Sequence, residues 1–212
     1  NTDTRSRDYS NLYRAPRPGH ADFTAWKKFG DARDVRGGGQ FSGRLTAPLC
    51  FAGALAKQLL SEKGACVAAH IARLAGIDDD APDPVRPALP LYEEGAFPVL
   101  NAEAGARMRE VILAAKCEGD SVGGVVRVIA TGLPAGLGEP MFGGVENRLA
   151  AALFGIPAVR GVEFGEGFRA ADLRGSGHND AFAVENGRIV TETNRHAGIL
   201  GGITSGMPIF CR

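Results

Sequence analysis

Apolar residues recur at helical spacing in three stretches of the chain and alternate in others. From Ser42 onward, Leu45, Leu49, Ala52, Gly53, Ala56, Leu59 and Leu60 follow a helical period, Ser42 is placed to cap, and Pro48 lies near the first turn, where a missing N–H costs least. The many small residues there predict a tightly packed central helix. After Lys63-Gly64, residues 66–74 alternate as a strand covered in part on both faces, which makes His70 a core or edge histidine. Helical spacing returns from Asn101 through Lys116 with Ala104, Met108, Val111, Ile112 and Ala115, and again over a shorter helix, Val145 to Phe154. Strands are expected at Val125 to Thr131 and Pro157 to Phe164, and the tail from Ala170 alternates polar loops with short apolar stretches, ending on a strand-like Met207-Pro208-Ile209-Phe210. Between Asp78 and Pro98, five prolines and a run of acids predict an irregular surface excursion, one able to cover a sheet edge.

Periodicity therefore supports a mixed α and β protein, and 212 residues suffice for one substantial core in one domain. The longest apolar runs fall far short of the roughly 18 residues a membrane helix needs, and glycine interrupts them. Cys50, Cys66, Cys117 and Cys211 form no C-x-x-C pair, and three lie in apolar settings; buried thiols in a reducing cytoplasm are favoured over disulfides or a metal site. The chain begins without methionine or a recognisable cap and stops just past an apolar run, which reads as an internal portion of something longer.

Charge changes this picture in one place. The chain holds 24 basic and 24 acidic side chains, a neutral balance that argues against a general nucleic-acid or membrane-surface binder. Residues 1–48, however, carry nine Lys/Arg against five acids. A positive pocket in a neutral protein suits a small polyanion. Within it, the stretch from Arg17 to Pro48 brings together one histidine, His20, four arginines (Arg17, Arg33, Arg36, Arg44), and a triple glycine, Gly37 to Gly39, ahead of Ser42. Arginine forks bind phosphate and carboxylate bidentately, glycines allow close backbone approach, and helix N–H groups face negative charge. A histidine adds proton transfer near neutral pH, although a capping or turn role fits His20 as well on these grounds.

Two further glycine-rich stretches, 132–140 and 194–206, lack both the Lys-Ser/Thr ending of a P-loop and the spacing of a dinucleotide fingerprint. Tight turns are their expected role, while Gly198, Gly201, Gly202 and Gly206 still permit approach of a flat cofactor. His178 and His196 lie in polar loop sequence, where solvent exposure is expected.

Six blocks carry a resemblance over nearly the whole chain: Arg17-Pro-Gly-His-Ala-Asp22; Arg36-Gly-Gly-Gly39 with Ser42-Gly-Arg44 and Thr46-Ala-Pro48; Gly119-Asp-Ser-Val-Gly-Gly124; Gly136-Leu-Gly-Glu-Pro140; Pro157-Ala-Val-Arg-Gly-Val-Glu163; and Gly198-Ile-Leu-Gly-Gly-Ile203. In content and order they resemble the chorismate synthase family. The resemblance implies a cytoplasmic lyase that converts 5-enolpyruvylshikimate 3-phosphate to chorismate and phosphate by anti 1,4-elimination, with reduced FMN and, in some members, NADPH as reductant. It implies an α+β fold, antiparallel sheets enclosing a helical core, assembled as a homotetramer. The residues implied are His20 as the histidine that manages flavin protonation, Arg17 and Arg44 for substrate anions, and Gln40, Phe41, Ser42, Pro157, Ala158 and Gly201 as flavin contacts.

Family blocks expected before Asn1 and after Arg212 are absent from these residues, so the resemblance places them as the central three-fifths of a longer chain, with no turnover expected of them alone. Gln40 and Phe41 replace an arginine and a serine common in the family, Leu45 a glutamate, and His196-Ala197 a small residue and a glycine. The first leaves position 40 without the family's cationic side chain; the last alters packing on the flavin side. A general flavin oxidoreductase and a non-catalytic interaction protein are the competing readings.

Overall fold

The structure is a computed structural model that describes residues 6–93 and 95–212, with the side chains of residues 6–8 excepted. Its packing divides into two units. The first holds the described residues up to Leu55 together with Ile156–Ala158; the second holds Ala56–Gly155 and Val159–Arg212.

In the first unit a 3-10 turn, Ser6–Tyr13, precedes helix α1, Asp22–Phe29, which the apolar pattern does not announce. Asp22 stands in the first turn of α1 and Lys27 and Lys28 in the last, charges that suit the helix dipole at both ends. The triple glycine follows in a further 3-10 segment, Arg36–Phe41. Gly37, Gly38 and Gly39 have φ of 60°, 82° and 53°, a run of left-handed backbone that residues with a Cβ rarely adopt. Ser42 caps as expected, but over one short turn: its Oγ accepts from Arg44 N ahead of helix α2, Thr46–Glu62. The expectation of tight packing fails for α2. None of its residues is buried, and Leu49, Phe51, Leu55 and Leu59 are exposed.

The second unit is built on a four-stranded antiparallel sheet whose strands run, in spatial order, Ile77–Asp78 (β2), Cys66–Leu74 (β1), Gly124–Thr131 (β3) and Ile209–Cys211 (β8). Strand β1, Cys66–Leu74, pairs along its length with β3, Gly124–Thr131, with His70 opposite Arg127 and an irregularity between Ile71 and Arg73. The short edge strand β2, Ile77–Asp78, opens the proline-rich excursion, whose far end returns to the sheet where Ile71 N donates to Pro98 O. Helix α3, Ala102–Cys117, is capped by Asn101, whose side chain accepts from Glu103 N and Ala104 N. It lays Ala104 and Met108 against Val99, with Ile71, Leu74, Ile77 and Phe97 around them, and this is the core. An added Cβ at Gly105 would sit 2.7 Å from Val99, so the small residue sets how closely helix and excursion approach.

Helix α4, Val145–Phe154, has its predicted bounds. Pro157 to Phe164 forms no strand: Phe164 makes an isolated bridge to Cys211, and Glu163 and Arg212 exchange backbone hydrogen bonds, so the segment only touches the outer edge of β8, Ile209–Cys211. After a short helix α5, Gly175–His178, the loop-like tail contains a hairpin. Its strands β4, Phe182–Glu185, and β5, Arg188–Thr191, turn on Asn186-Gly187, both at positive φ as a type I′ turn requires. Strands β6, Ile199–Leu200, and β7, Ile203–Thr204, make a smaller ribbon.

Among the cysteines the expectation is reversed. Cys50, Cys66 and Cys117 are exposed; Cys211 alone is buried, and burial raises its thiol pKa. All four are free. No described helix is long and apolar enough to cross a membrane.

Candidate active site

The first unit gathers the chemistry around one carboxylate. Asp22 is buried, and its two oxygens accept three hydrogen bonds, all from Arg17. Oδ2 accepts from Arg17 N at 2.9 Å and Arg17 Nε at 2.8 Å; Oδ1 accepts from Arg17 Nη2 at 3.0 Å and lies 2.7 Å from His20 Nδ1. The Arg17 side-chain bonds are the largest influence on Asp22 and, with the backbone bond and the neighbouring charges, hold its carboxyl well below the usual range. The same partnership raises the Arg17 pKa. His20 keeps about a quarter of its side chain exposed, and Gly38 passes so close that an added Cβ would stand 3.1 Å from His20 Nε2. The left-handed glycine therefore leaves room at the second ring nitrogen.

The four arginines do not form one open anion clamp. Arg17 has its fork engaged by Asp22, leaving Nη1 as the arm outside that pair. Arg36 is engaged by Asp34 in the same way, and holds that exposed carboxyl at about 2. Arg33 is buried, donates to Gly30 O and Tyr13 O, and has an Nε without a hydrogen-bond partner; it lies over the Tyr13 ring and lines a cleft of about 300 Å³ with Arg14, Asp22, Phe23 and Trp26. Arg44 is exposed, and its Nη1 donates to Gly37 O at 3.4 Å, so its charge meets no carboxylate in any described ion pair. That leaves Arg44 the readiest of the four to take an anion.

The expected flavin contacts fall in both units. Gln40 and Phe41 are exposed at the end of the glycine segment, and Ser42 N donates to Gly39 O at 3.3 Å, inside the turn. Pro157 and Ala158 are exposed and belong to this same unit, Ala158 at φ 70°. Gly201 lies in the second unit, in a cleft of about 530 Å³ with Met141, Glu146, Asn147 and Gly202. There the two glycine-rich stretches interlock. An added Cβ at Gly138 would fall 2.2 Å from Gly202 O, one at Gly202 would fall 2.4 Å from Glu139 O, and one at Gly144 would fall 2.9 Å from the Gly202 Cα. A Cβ on Gly201 itself would meet nothing within 4 Å, so this backbone stays open toward the cleft. A flat cofactor approaching Gly201 is compatible with that shape.

His178 and His196 are not freely exposed. Their rings stand 4.3 Å apart, and His196 Nδ1 is 3.0 Å from Asp180 Oδ2. Burial pushes Asp180 up, but hydrogen bonds from Thr193, Arg195 and His196 outweigh it and hold the carboxyl low. Next to it, Ala197 is fully buried at φ 55°, a left-handed position occupied by a residue with a Cβ. The residue of this cluster that sequence reasoning did not single out is Asp22. It was visible as the last residue of Arg17-Pro-Gly-His-Ala-Asp22, two positions after the histidine and at a helix start, where a carboxylate can turn back onto both side chains.

A histidine 2.7 Å from a buried aspartate, beside a left-handed glycine loop, stands on a mixed α+β fold of antiparallel sheets. Comparison with protein families matches residues 1–212 to chorismate synthase. The chain belongs to the chorismate synthase family. It is 43% identical over 225 residues to the chorismate synthase of Lancefieldella parvula and 48% identical over 212 residues to that of Thermococcus gammatolerans, with the whole of this chain covered each time. It spans 59% and 58% of those relatives. A crystal structure of chorismate synthase superposes with a TM-score of 0.73 at 27% identity, over 89% of this chain and 60% of the other.

Proposed function

We propose that these residues are the central portion of a chorismate synthase, a lyase that converts 5-enolpyruvylshikimate 3-phosphate to chorismate and phosphate by anti 1,4-elimination with reduced FMN. The observation that carries the reading is the family match along all 212 residues, with His20, Asp22 and Arg17 joined beside Gly38. The two packing units are taken as parts of one domain, since the boundary between them falls inside α2 and not in a linker.

Reduced FMN, when bound, would supply an electron-rich ring that lends electron density for loss of the phosphate and regains it with the departing hydrogen, leaving no net redox change. The protein supplies placement and charge. Arg44 offers a fork to a phosphate or carboxylate of the substrate, and Arg17 the Nη1 arm left outside its pair with Asp22. His20 holds or moves a proton on the flavin side. Gln40, Phe41, Ser42, Pro157, Ala158 and Gly201 are the flavin-facing positions; the grouping of five of them in one unit, and the open backbone at Gly201, support this. Gln40 brings no charge, so any cationic contact to the flavin must come from another residue. NADPH as the reductant, a homotetramer and a cytoplasmic location complete the proposal.

The test is anaerobic phosphate release from the substrate by the protein extended to its relatives' full length, with chemically reduced FMN. Turnover with reduced but not oxidised FMN is expected. Consumption of a nicotinamide cofactor with unrelated acceptors and no phosphate release would replace this reading with a general flavin oxidoreductase.

A further inference from the structure

The cleft of about 300 Å³ in the first unit stands at the lower end of the roughly 300–1,000 Å³ typical of small-molecule sites. Two arginines share its wall, and neither is neutralised. Arg14 is exposed, and among the described residues its guanidinium meets no carboxylate. Arg33 is buried; Nη1 and Nη2 donate to the neutral carbonyls of Gly30 and Tyr13, and Nε has no partner. The one described acid in ion-pair range of Arg33 is Asp31, 3.8 Å away on a fully exposed side chain. Asp22 also lines the cleft, but both its oxygens are taken by Arg17. A buried cation is costly without a counter-charge, and a free guanidinium fork matches a carboxylate. The rest of the wall is largely aromatic. Tyr13, Phe23 and Trp26 are each about half exposed, and the Phe23 and Trp26 rings meet edge to face at 6.2 Å. Lys27 Nζ braces that pair, 4.5 Å from the Trp26 centroid and 5.5 Å from that of Phe23. A bare phosphate would leave these rings uncovered, an uncharged ring would leave the arginines unpaired, and a polymer would not fit so small a volume.

We propose that this cleft is a binding site for a small aromatic carboxylate, whose carboxylate pairs with the Arg14 fork under the positive charge of Arg33 and whose ring packs on Phe23 and Trp26. The inference goes beyond the lyase reading and does not rest on it. His20, Arg17, Arg44 and the flavin-facing positions take no part in the wall of the cleft; Asp22 is the residue it shares with the His20 cluster.

The test uses the protein extended to its relatives' full length, with benzoate as the probe. Trp26 is the single tryptophan of these residues, so occupancy is read as the change in its emission against a Trp26→Phe blank, and calorimetry gives the stoichiometry. Benzoate is expected to bind saturably. Benzyl alcohol, which keeps the ring, and acetate, which keeps the charge, should each bind about tenfold more weakly or worse, the scale of one charge-assisted bond. Arg14→Ala should weaken benzoate by a similar factor while leaving benzyl alcohol binding and phosphate release unchanged. Arg33→Met should weaken benzoate further; if it fails to fold, since Arg33 also ties Gly30 to Tyr13, Arg14→Ala and the two other probes still decide. No saturable binding, equal affinity for benzoate and benzyl alcohol, undiminished benzoate binding in Arg14→Ala, or binding that leaves Trp26 emission untouched would each overturn the proposal. So would competitive displacement of benzoate by 5-enolpyruvylshikimate 3-phosphate, which would make the cleft part of the substrate site. An absence of phosphate release would sink the lyase reading alone, and the benzoate titrations would still decide this one.

Discussion

Two of the three described histidine–aspartate pairs lie at nearly the same distance in opposite surroundings. His20 lies 2.7 Å from Asp22, His70 2.9 Å from Asp79. The first histidine keeps part of its ring in solvent and its Nε2 beside a bare glycine; in the second, both side chains have no exposure at all. Asp79 also accepts from Leu100 N and Asn101 N, so the pair ties strand β1 to the end of the excursion and the start of α3. His70 Nε2 is buried without a partner, and burial is the main cause that lowers its pKa. A carboxylate beside an imidazole is therefore not a site in itself. What separates chemistry from scaffolding is whether the second ring nitrogen can reach a ligand.

The largest effect expected from this contrast is on turnover. In the full-length protein, His20→Ala should reduce phosphate release by about 10²-fold or more, the scale of acid–base catalysis, with melting little changed. Equal activity would take His20 out of the chemistry and erase the distinction. His70→Ala should do the reverse, costing about 1.5–3 kcal/mol of stability in denaturant titration, since it removes a hydrogen bond to a buried carboxylate. Turnover per folded molecule should hold.

A smaller effect is expected at Arg44. Lysine cannot reproduce a forked pair, so Arg44→Lys should weaken substrate binding about tenfold by calorimetry, close to the value of one charge-assisted bond. Unchanged affinity would make Arg44 a brace for the glycine turn, through its bond to Gly37 O.

The smallest effect is a pH dependence. His70 has a folded pKa below its ordinary value, so the unfolded chain binds the proton more readily. The stability tied to His70 is fully present above about pH 6.5 and is lost as pH falls from there toward the folded value, by at most about 1.4 kcal/mol per pH unit. Arg127, across the sheet, adds to this by disfavouring a second positive charge, while Asp79 opposes it. His70→Gln should flatten the slope between pH 6.5 and 5; an unchanged slope would assign it to another group.

Elements with a regularly spaced apolar face were legible in the sequence, buried or not: α4, like α2, has no buried residue. Strand β1 and helix α4 have the bounds their periodicity predicts, and α3 starts after the residue whose side chain caps it. Elements without such a face were not. Helix α1 exposes Phe23, Trp26 and Phe29 and follows no core stripe, and the β4–β5 hairpin exposes Phe182, Val184 and Ile189; its one local signal is the Asn186-Gly187 turn. Pro157 to Phe164 has the composition of a strand but only an edge to touch. Helix α2 shows the limit from the other side, since its period was read correctly and its burial was not. At the site, the histidine, the arginines and the glycines could be picked out by type. That Asp22 occupies two of those arginine nitrogens, and so changes what Arg17 can offer, depends on a turn of the backbone that spacing does not reveal.

The interlocked glycines at Gly138, Gly144 and Gly202 have a consequence for anyone altering this protein. At each of them an added Cβ would press on main chain of the other stretch, and at Gly138 and Gly144 also on the Val145 and Asn147 side chains, 2.8 Å away. Stretches some sixty residues apart in sequence thus behave as a single machined joint. A methyl group added to one of them cannot be accommodated locally, and a compensating change would have to be sought in the other stretch.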